Sequence, residues 1–104
     1  PVAAYHALFE GLKHFEKHVS RRLNGPTLIF IDEDDEFIPA QAFEKLKNDK
    51  KLDQWRLYIV KKGAAANRDA FHHHIIDESS TGKAVWQKMM ETTIAYLFAN
   101  RPNE

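Results

Sequence analysis

One segment constrains the fold of this chain more than any other: a mostly apolar run that ends in consecutive carboxylates. Residues 27–31 are largely apolar and partly β-branched, and the five residues 32–36 that follow are all acidic. A continuous run of this kind predicts a strand covered on both faces, as in a parallel sheet. Because ligands in open α/β sheets bind just beyond the carboxyl ends of the strands, carboxylates at such an end indicate a functional site.

A second polar cluster follows the other predicted strand. Residues 54–60 alternate between an apolar face and a mixed face, which predicts a strand near the edge of a sheet. The histidines His72, His73 and His74 come next, with Asp77 shortly after them. An acid and a histidine therefore follow successive strands in that order, and such a pair lacks only a nucleophile.

Helical periodicity is present in the first quarter of the chain and in the segment between the strands. Apolar residues recur at three- and four-residue steps from Tyr5 to Leu23, and the sequence 24–26, Asn-Gly-Pro, is expected to end this helix. Pro39 suits the first turn of a second, short helix whose apolar stripe contains Phe43 and Leu46. A helix therefore precedes each predicted strand.

The remainder of the chain predicts a loop and a closing helix. Residues 61–70 have no apolar period, and the run 79–81, Ser-Ser-Thr, offers caps for a helix that begins after it. The stripe of this helix consists of Val85, Trp86, Met89, Met90, Thr93, Ile94, Leu97 and Phe98. Trp86, Met89 and Met90, together with Trp55, are interpreted as core residues. The order is helix, strand, helix, strand, helix, so the fold class is α/β with parallel strands.

Two strands make an incomplete sheet. Both outer edges of the sheet would be unpaired. The apolar surface area of the helices would also exceed the area that a two-stranded sheet can bury. Residues 1–104 are therefore expected to form a single partial domain that is completed by a missing N-terminal half or by association, as a homo-oligomer or a swapped dimer. A chain that starts at Pro1 without methionine is also expected to be a cut or processed piece.

Composition excludes several classes of function. Lysine plus arginine equals aspartate plus glutamate at 15 each, so no basic field for nucleic acid is expected. The sequence contains no cysteine, hence no thiolate nucleophile and no disulfide framework, which suits a cytoplasmic location. No apolar run approaches the ~20 residues that span a bilayer.

The first strand and its acidic turn resemble a segment of the α/β-hydrolase-fold serine hydrolases. In that family, a proline-led strand runs into a tight turn that holds the triad acid, followed by a hydrophobic residue and a proline; here these are Pro26, residues 27–31, Asp35, Ile38 and Pro39. Asp32 stands where the family usually has a glycine. The segment 72–77 resembles the family's histidine-bearing loop, and the last helix with Trp86 resembles its closing helix. The resemblance covers nearly the whole chain, as the C-terminal portion of such an enzyme.

The resemblance implies a serine hydrolase that acts on an ester, thioester or amide of a small molecule, without a cofactor. Asp35 would orient the histidine, which would take the proton of the serine. The nucleophile of this family lies on a G-x-S-x-G elbow, and none of the 4 glycines is spaced around a serine in that way. The chain alone is therefore expected to be inactive.

Alternatives remain for the residues and for the function. His72 is the preferred triad histidine and His73 the second choice, while Asp34 is the alternate acid. A metal site at His72 and His74 with Asp77 nearby is a further hypothesis, since imidazole and carboxylate are suitable ligands. His14 and His18 lie one helical turn apart and are interpreted as part of a solvated face. The alternative function is a non-catalytic interaction module that docks through open strand edges.

Overall fold

The computed structural model describes residues 2–18, 20–67 and 71–101. Within these ranges the chain is a mixed α/β protein in which helices accompany one parallel sheet of two strands, as the sequence predicts. Its elements are α1 (Val2–His18), a 3-10 turn (Arg21–Leu23), β1 (Thr27–Asp32), α2 (Ala40–Asp49), β2 (Trp55–Val60), α3 (Glu78–Thr81) and α4 (Lys83–Ala99). No helix within the described ranges is both long and apolar enough to cross a membrane.

The strands pair in parallel, so their carboxyl ends meet at one edge of the sheet. Thr27 is in register with Trp55, and Asp32 with Val60. The N–H of Glu33 donates to the carbonyl of Val60 over 3.0 Å, which extends the pairing one residue beyond β1. The acidic turn therefore starts directly beside the end of β2.

The first helix ends earlier than the apolar stripe predicts. The stripe extends to Leu23, whereas α1 ends at His18 and residues 21–23 form a 3-10 turn. The hydroxyl of Ser20 accepts the N–H of Arg22, and the carbonyl of Ser20 accepts the N–H of Leu23. Serine offers the backbone such local alternatives to helical bonds, and periodicity alone does not reveal them.

The closing helix is preceded by a separate short helix, which the sequence did not predict. The carboxylate of Asp77 accepts the N–H of Ser80, and the Ser80 hydroxyl accepts the N–H of Asp77, which forms a capping box at α3. Gly82 then separates α3 from α4 with φ at +91°, a conformation that favours glycine. An added Cβ would also lie 3.3 Å from the backbone N of Ala66, so the close approach, like the positive φ, disfavours a larger residue.

The loop after β2 is held against α3, as two backbone hydrogen bonds show. The N–H of Gly63 donates to Thr81 over 2.9 Å, and that of Asn67 donates to Ser79 over 2.7 Å. Residues 61–67 contain no helix or strand, which agrees with the predicted loop; its last residues, 68–70, lie outside the described ranges.

A small core lies beside the sheet. Leu52 and Trp55 are buried and pack with Ile29 and Leu46, and the indole N–H of Trp55 donates to the carbonyl of Leu23 over 2.8 Å. Of the other residues predicted for the core, Met89 is buried, Trp86 is half-buried and Met90 is exposed, so the prediction for Met90 is wrong. In β1 only Ile31 and Asp32 are fully buried and residues 27–30 are half-buried, so the strand is less covered than the prediction of burial on both faces implies.

Much apolar surface is left uncovered by this core. Exposed large side chains include Tyr5 and Phe9 of α1 and Ile94, Leu97 and Phe98 of α4. The accessible surface is 8039 Å², against about 6,000 Å² expected for a monomeric protein of this mass. The Cα radius of gyration is 15.5 Å, against about 13 Å for a compact domain of this length. The chain therefore exposes more surface and is more extended than a compact monomer of this length.

Candidate functional site

The carboxyl edge of the sheet brings one acid and one histidine together. Asp32 is the last residue of β1, and His72 lies in the loop that follows β2. The Oδ1 atom of Asp32 and the Nδ1 atom of His72 are 3.1 Å apart, within hydrogen-bond distance. The side chain of Asp32 is 1% exposed and that of His72 is 46% exposed, so the pair has a buried acid and a ring that reaches solvent.

A tight turn holds the Asp32 carboxylate in place. Its Oδ1 also accepts the N–H of Asp34 over 2.8 Å, and the Asp32 carbonyl accepts the N–H of Asp35. A short acidic side chain commonly stabilises a turn by bonding to the backbone two residues on. The second oxygen of the carboxylate, Oδ2, is buried and has no hydrogen-bond partner in the described part of the chain.

The contact with Asp32 constrains the tautomer of His72. An ionised carboxylate can only accept hydrogen bonds, so with Asp32 ionised this hydrogen bond requires the Nδ1 atom of His72 to carry the hydrogen. In the neutral ring, Nε2 is then the basic nitrogen. A histidine held in this way can take a proton through Nε2 and return it later.

Asp35, the acid selected from the sequence, has a different position. Its Oδ1 accepts the N–H groups of Phe37 and Ile38, each over 2.8 Å. These bonds close the turn that leads to α2. The structure therefore joins His72 to Asp32, not to Asp35, while Asp34, the alternate acid, is exposed beside the pair.

His73, the second choice for the triad histidine, pairs with Glu36. Its Nδ1 lies 2.9 Å from Glu36 Oε1, and its ring contacts the rings of Phe37 and Phe71 at centroid distances of 4.7 and 5.4 Å. The predicted pair of Asp35 with His73 is not formed. His74 is exposed, and its N–H donates to the carbonyl of Phe71.

Glu36 attaches the histidine loop to the acidic turn. Its carboxylate accepts the N–H of His72 through Oε2 over 2.7 Å and the N–H of His73 through Oε1 over 2.9 Å. Desolvation opposes ionisation of this carboxyl, but the bonds from the backbones of His73 and His72 and from the His73 ring outweigh it and lower the pKa of Glu36 from 4.5 to about 2. The ionised form of Glu36 therefore favours the conformation in which His72 meets Asp32.

We predict that replacing Glu36 by Gln loosens the histidine loop in a pH-dependent way. The pKa of Glu36 is lower in the folded state than in the unfolded state. Glu36 therefore stabilises the fold fully above about pH 4.5, and this contribution is lost as the pH falls towards about 2. The variant should be less stable than the parent at neutral pH, and this difference should shrink below pH 4.5. Chemical denaturation at several pH values measures the difference.

The matched control for this test is Glu33→Gln, which removes the same charge from an exposed neighbour. Its effect should be smaller at neutral pH, and the His72 ring signals in an NMR spectrum should shift only in Glu36→Gln. Equal effects of the two variants would contradict a specific role for Glu36.

The residues of the sequence-based metal hypothesis do not assemble as predicted. Asp77 caps α3 instead, and its bonds with the Ser80 backbone and hydroxyl lower its pKa. His14 and His18 are exposed on α1 with ring centroids 4.2 Å apart. A different group, Asp32, Asp34 and His72, brings potential ligand atoms within 4.8 Å of one another.

The sequence pattern predicts a role for Asp35 but does not distinguish Asp32 or Glu36 as functional residues. The structural signal that distinguishes Asp32 is its position as the last residue of β1, where its side chain lies on the same side of the strand as those of Phe30 and Leu28. Glu36 carries no comparable signal, because its partners are backbone groups 36 and 37 residues away.

Comparison with protein-family models, with curated proteins and with solved structures finds no match to this chain.

Proposed function

We propose that this chain is the C-terminal segment of a serine hydrolase of the α/β-hydrolase kind, which supplies the triad acid and histidine but lacks the nucleophile. The observation that carries the proposal is the 3.1 Å contact between Asp32 and His72 at the carboxyl edge of parallel strands. This edge is where open α/β sheets bind ligands, and the order acid and then histidine matches the order after the nucleophile in these enzymes.

In this proposal His72 is the general base and Asp32 orients it. His72 takes the proton of a serine supplied by the missing part and later returns it to the leaving group, while Asp32 stabilises the imidazolium. Asp35 is the acid that the family resemblance implies and is the competing assignment. The bond that is cleaved is an ester, thioester or amide of a small molecule.

The nucleophile must come from outside the chain. Ser80 serves in the cap of α3, where its hydroxyl donates to the Asp77 carbonyl, and Ser20 and Ser79 lie outside any G-x-S-x-G sequence. The surplus of exposed surface, about 2,000 Å² above the expectation for a monomer, supports a missing N-terminal half whose strand pairs with the sheet. A hydrolase-like layer would then cover the exposed faces of the helices.

Labelling with a serine-directed phosphonate tests the proposal. The chain alone should not be labelled and should give no burst of product from an activated ester, because a base without a nucleophile provides only background catalysis. A polypeptide that also includes the upstream reading frame should be labelled at one serine. The proposal is contradicted if the chain alone is labelled at Ser20, Ser79 or Ser80. It is also contradicted if the upstream reading frame encodes no strand followed by a G-x-S-x-G elbow.

A non-catalytic interaction module is the second candidate, favoured by the exposed apolar surface. A surplus of about 2,000 Å² per chain is comparable to what one partner buries in an obligate interface. In this interpretation a second copy covers the strand edges and the exposed faces of α1 and α4, and the pairing of acid and histidine is incidental.

We predict that the chain alone is a homo-oligomer or a swapped dimer. The outer edges of β1 and β2 pair with no further strand in the described part of the chain. These edges and the exposed side chains Phe9, Leu97 and Phe98 should drive association. Sedimentation equilibrium at micromolar concentration measures the mass. A monomer that unfolds cooperatively would contradict the prediction.

A further inference from the structure

Three side chains at the end of β1 form a group with the composition of a metal site. The ligand atoms of Asp32, Asp34 and His72 lie within 4.8 Å of one another. Two carboxylates and one imidazole are ligands that divalent metals use in proteins, and three protein ligands leave positions for water. Modest side-chain movement would bring these atoms to metal-binding distances.

A second observation concerns the same Asp32 carboxylate. Asp32 is 1% exposed, and its Oδ2 is buried without a hydrogen-bond partner in the described part of the chain. A buried carboxylate oxygen without a partner is costly, and coordination of a cation is one of the ways in which proteins satisfy it. The consecutive carboxylates of residues 32–36 add a negative potential that attracts a cation.

The site is also open to solvent on one side. Asp34 is exposed and the ring of His72 is 46% exposed, so an ion can reach the group without unfolding of the chain. The donor set contains no sulfur, and it contains an imidazole. It therefore suits zinc and related transition metals better than copper(I) or the alkaline-earth ions.

We propose that Asp32, Asp34 and His72 bind one divalent transition-metal ion, for which zinc is the reference, and that the bound ion withdraws His72 from acid–base catalysis. The second part rests on the proposed function, whereas metal binding itself does not. A metal ion on the ring or on the Asp32 carboxylate competes with the contact between Asp32 and His72. Occupation by metal would therefore inhibit a complete hydrolase.

Calorimetric titration of the chain with zinc chloride tests the binding. All proteins in the series carry His14→Gln and His18→Gln, because these two histidines lie next to each other on α1 and could bind zinc themselves. The chain with only these two substitutions is the parent, and it should bind one equivalent of zinc. Asp34→Asn and His72→Gln should each weaken binding at least about tenfold, since even outer-shell partners of metal sites contribute 10–100-fold.

Matched controls separate this site from its alternatives. Glu33→Gln removes the same charge as Asp34→Asn, and His74→Ala and Asp77→Asn remove the other residues of the sequence-based metal hypothesis; all should bind zinc like the parent. Asparagine is also an effective N-cap, so Asp77→Asn should preserve α3. Far-UV circular dichroism checks folding, and the visible spectrum of the cobalt(II) complex gives an independent readout of the ligands.

Several results would overturn the site: the absence of saturable binding, equal losses for Asp34→Asn and Glu33→Gln, or a loss for His74→Ala without one for His72→Gln. An unchanged cobalt spectrum in His72→Gln would do the same. If zinc binds as expected but does not inhibit a complete hydrolase that is active on an ester, only the regulatory part fails. If no hydrolase activity exists, the titration still decides the metal site.

Discussion

The Leu52→Ala variant is expected to lose about 2–5 kcal/mol of unfolding free energy, the cost of removing a fully buried leucine. Leu52 is 0% exposed and packs with Trp55, Ile29 and Leu46 in the small core beside the sheet. A domain of this size has only about 5–15 kcal/mol of stability to lose. The variant should therefore show a large fall in the urea midpoint.

Leu97→Ala is the matched control, because it makes the same change on the exposed surface of α4, where Leu97 is 62% exposed. Its effect should be within about 0.5 kcal/mol at a protein concentration low enough for the chain to be monomeric. A loss that grows with protein concentration would report the predicted association through α4. If Leu97→Ala destabilises the monomer as much as Leu52→Ala does, the described core is not the main source of stability.

In a polypeptide that also carries the nucleophile-bearing half, Asp32→Asn is expected to lower kcat by about 10⁴-fold, the loss found when a triad aspartate becomes asparagine. The amide favours the wrong tautomer of His72, since it can donate to Nδ1 where the carboxylate only accepts. His72→Ala should cost at least as much, several kcal/mol of transition-state stabilisation. Steady-state kinetics with an activated ester measures both losses.

Asp35→Asn and His73→Ala are the informative comparisons. Asparagine retains an oxygen that can accept from Phe37 and Ile38, so Asp35→Asn should preserve the turn and most of the activity. If Asp35→Asn is the damaging change and Asp32→Asn is silent, the acid implied by the family resemblance is the catalytic one. If His73→Ala lowers the activity and His72→Ala does not, Glu36 and His73 have the catalytic role that is proposed for Asp32 and His72.

The elements of the fold follow closely from local patterns. The apolar run of 27–31 predicts β1, the alternation of 54–60 predicts β2, and the stripe from Val85 to Phe98 predicts α4. Each pattern depends on residues a few positions apart, which is the range over which helix and strand periodicity operate. The exceptions, the early end of α1 and the separate helix α3, arise where serine side chains bond to the nearby backbone.

The sequence by itself determined that acids and histidines would follow adjacent parallel strands and thus share one edge of the sheet. Only the tertiary structure decided which acid meets which histidine. Asp32 and His72 are 40 residues apart, and their contact depends on strand register and on the path of the intervening loop. The Asp35 carboxylate accepts N–H groups of its own turn, and the Glu36 carboxylate accepts N–H groups of the histidine loop. Neither therefore meets His72 in the way that Asp32 does, because the folded backbone determines which N–H groups each carboxylate binds.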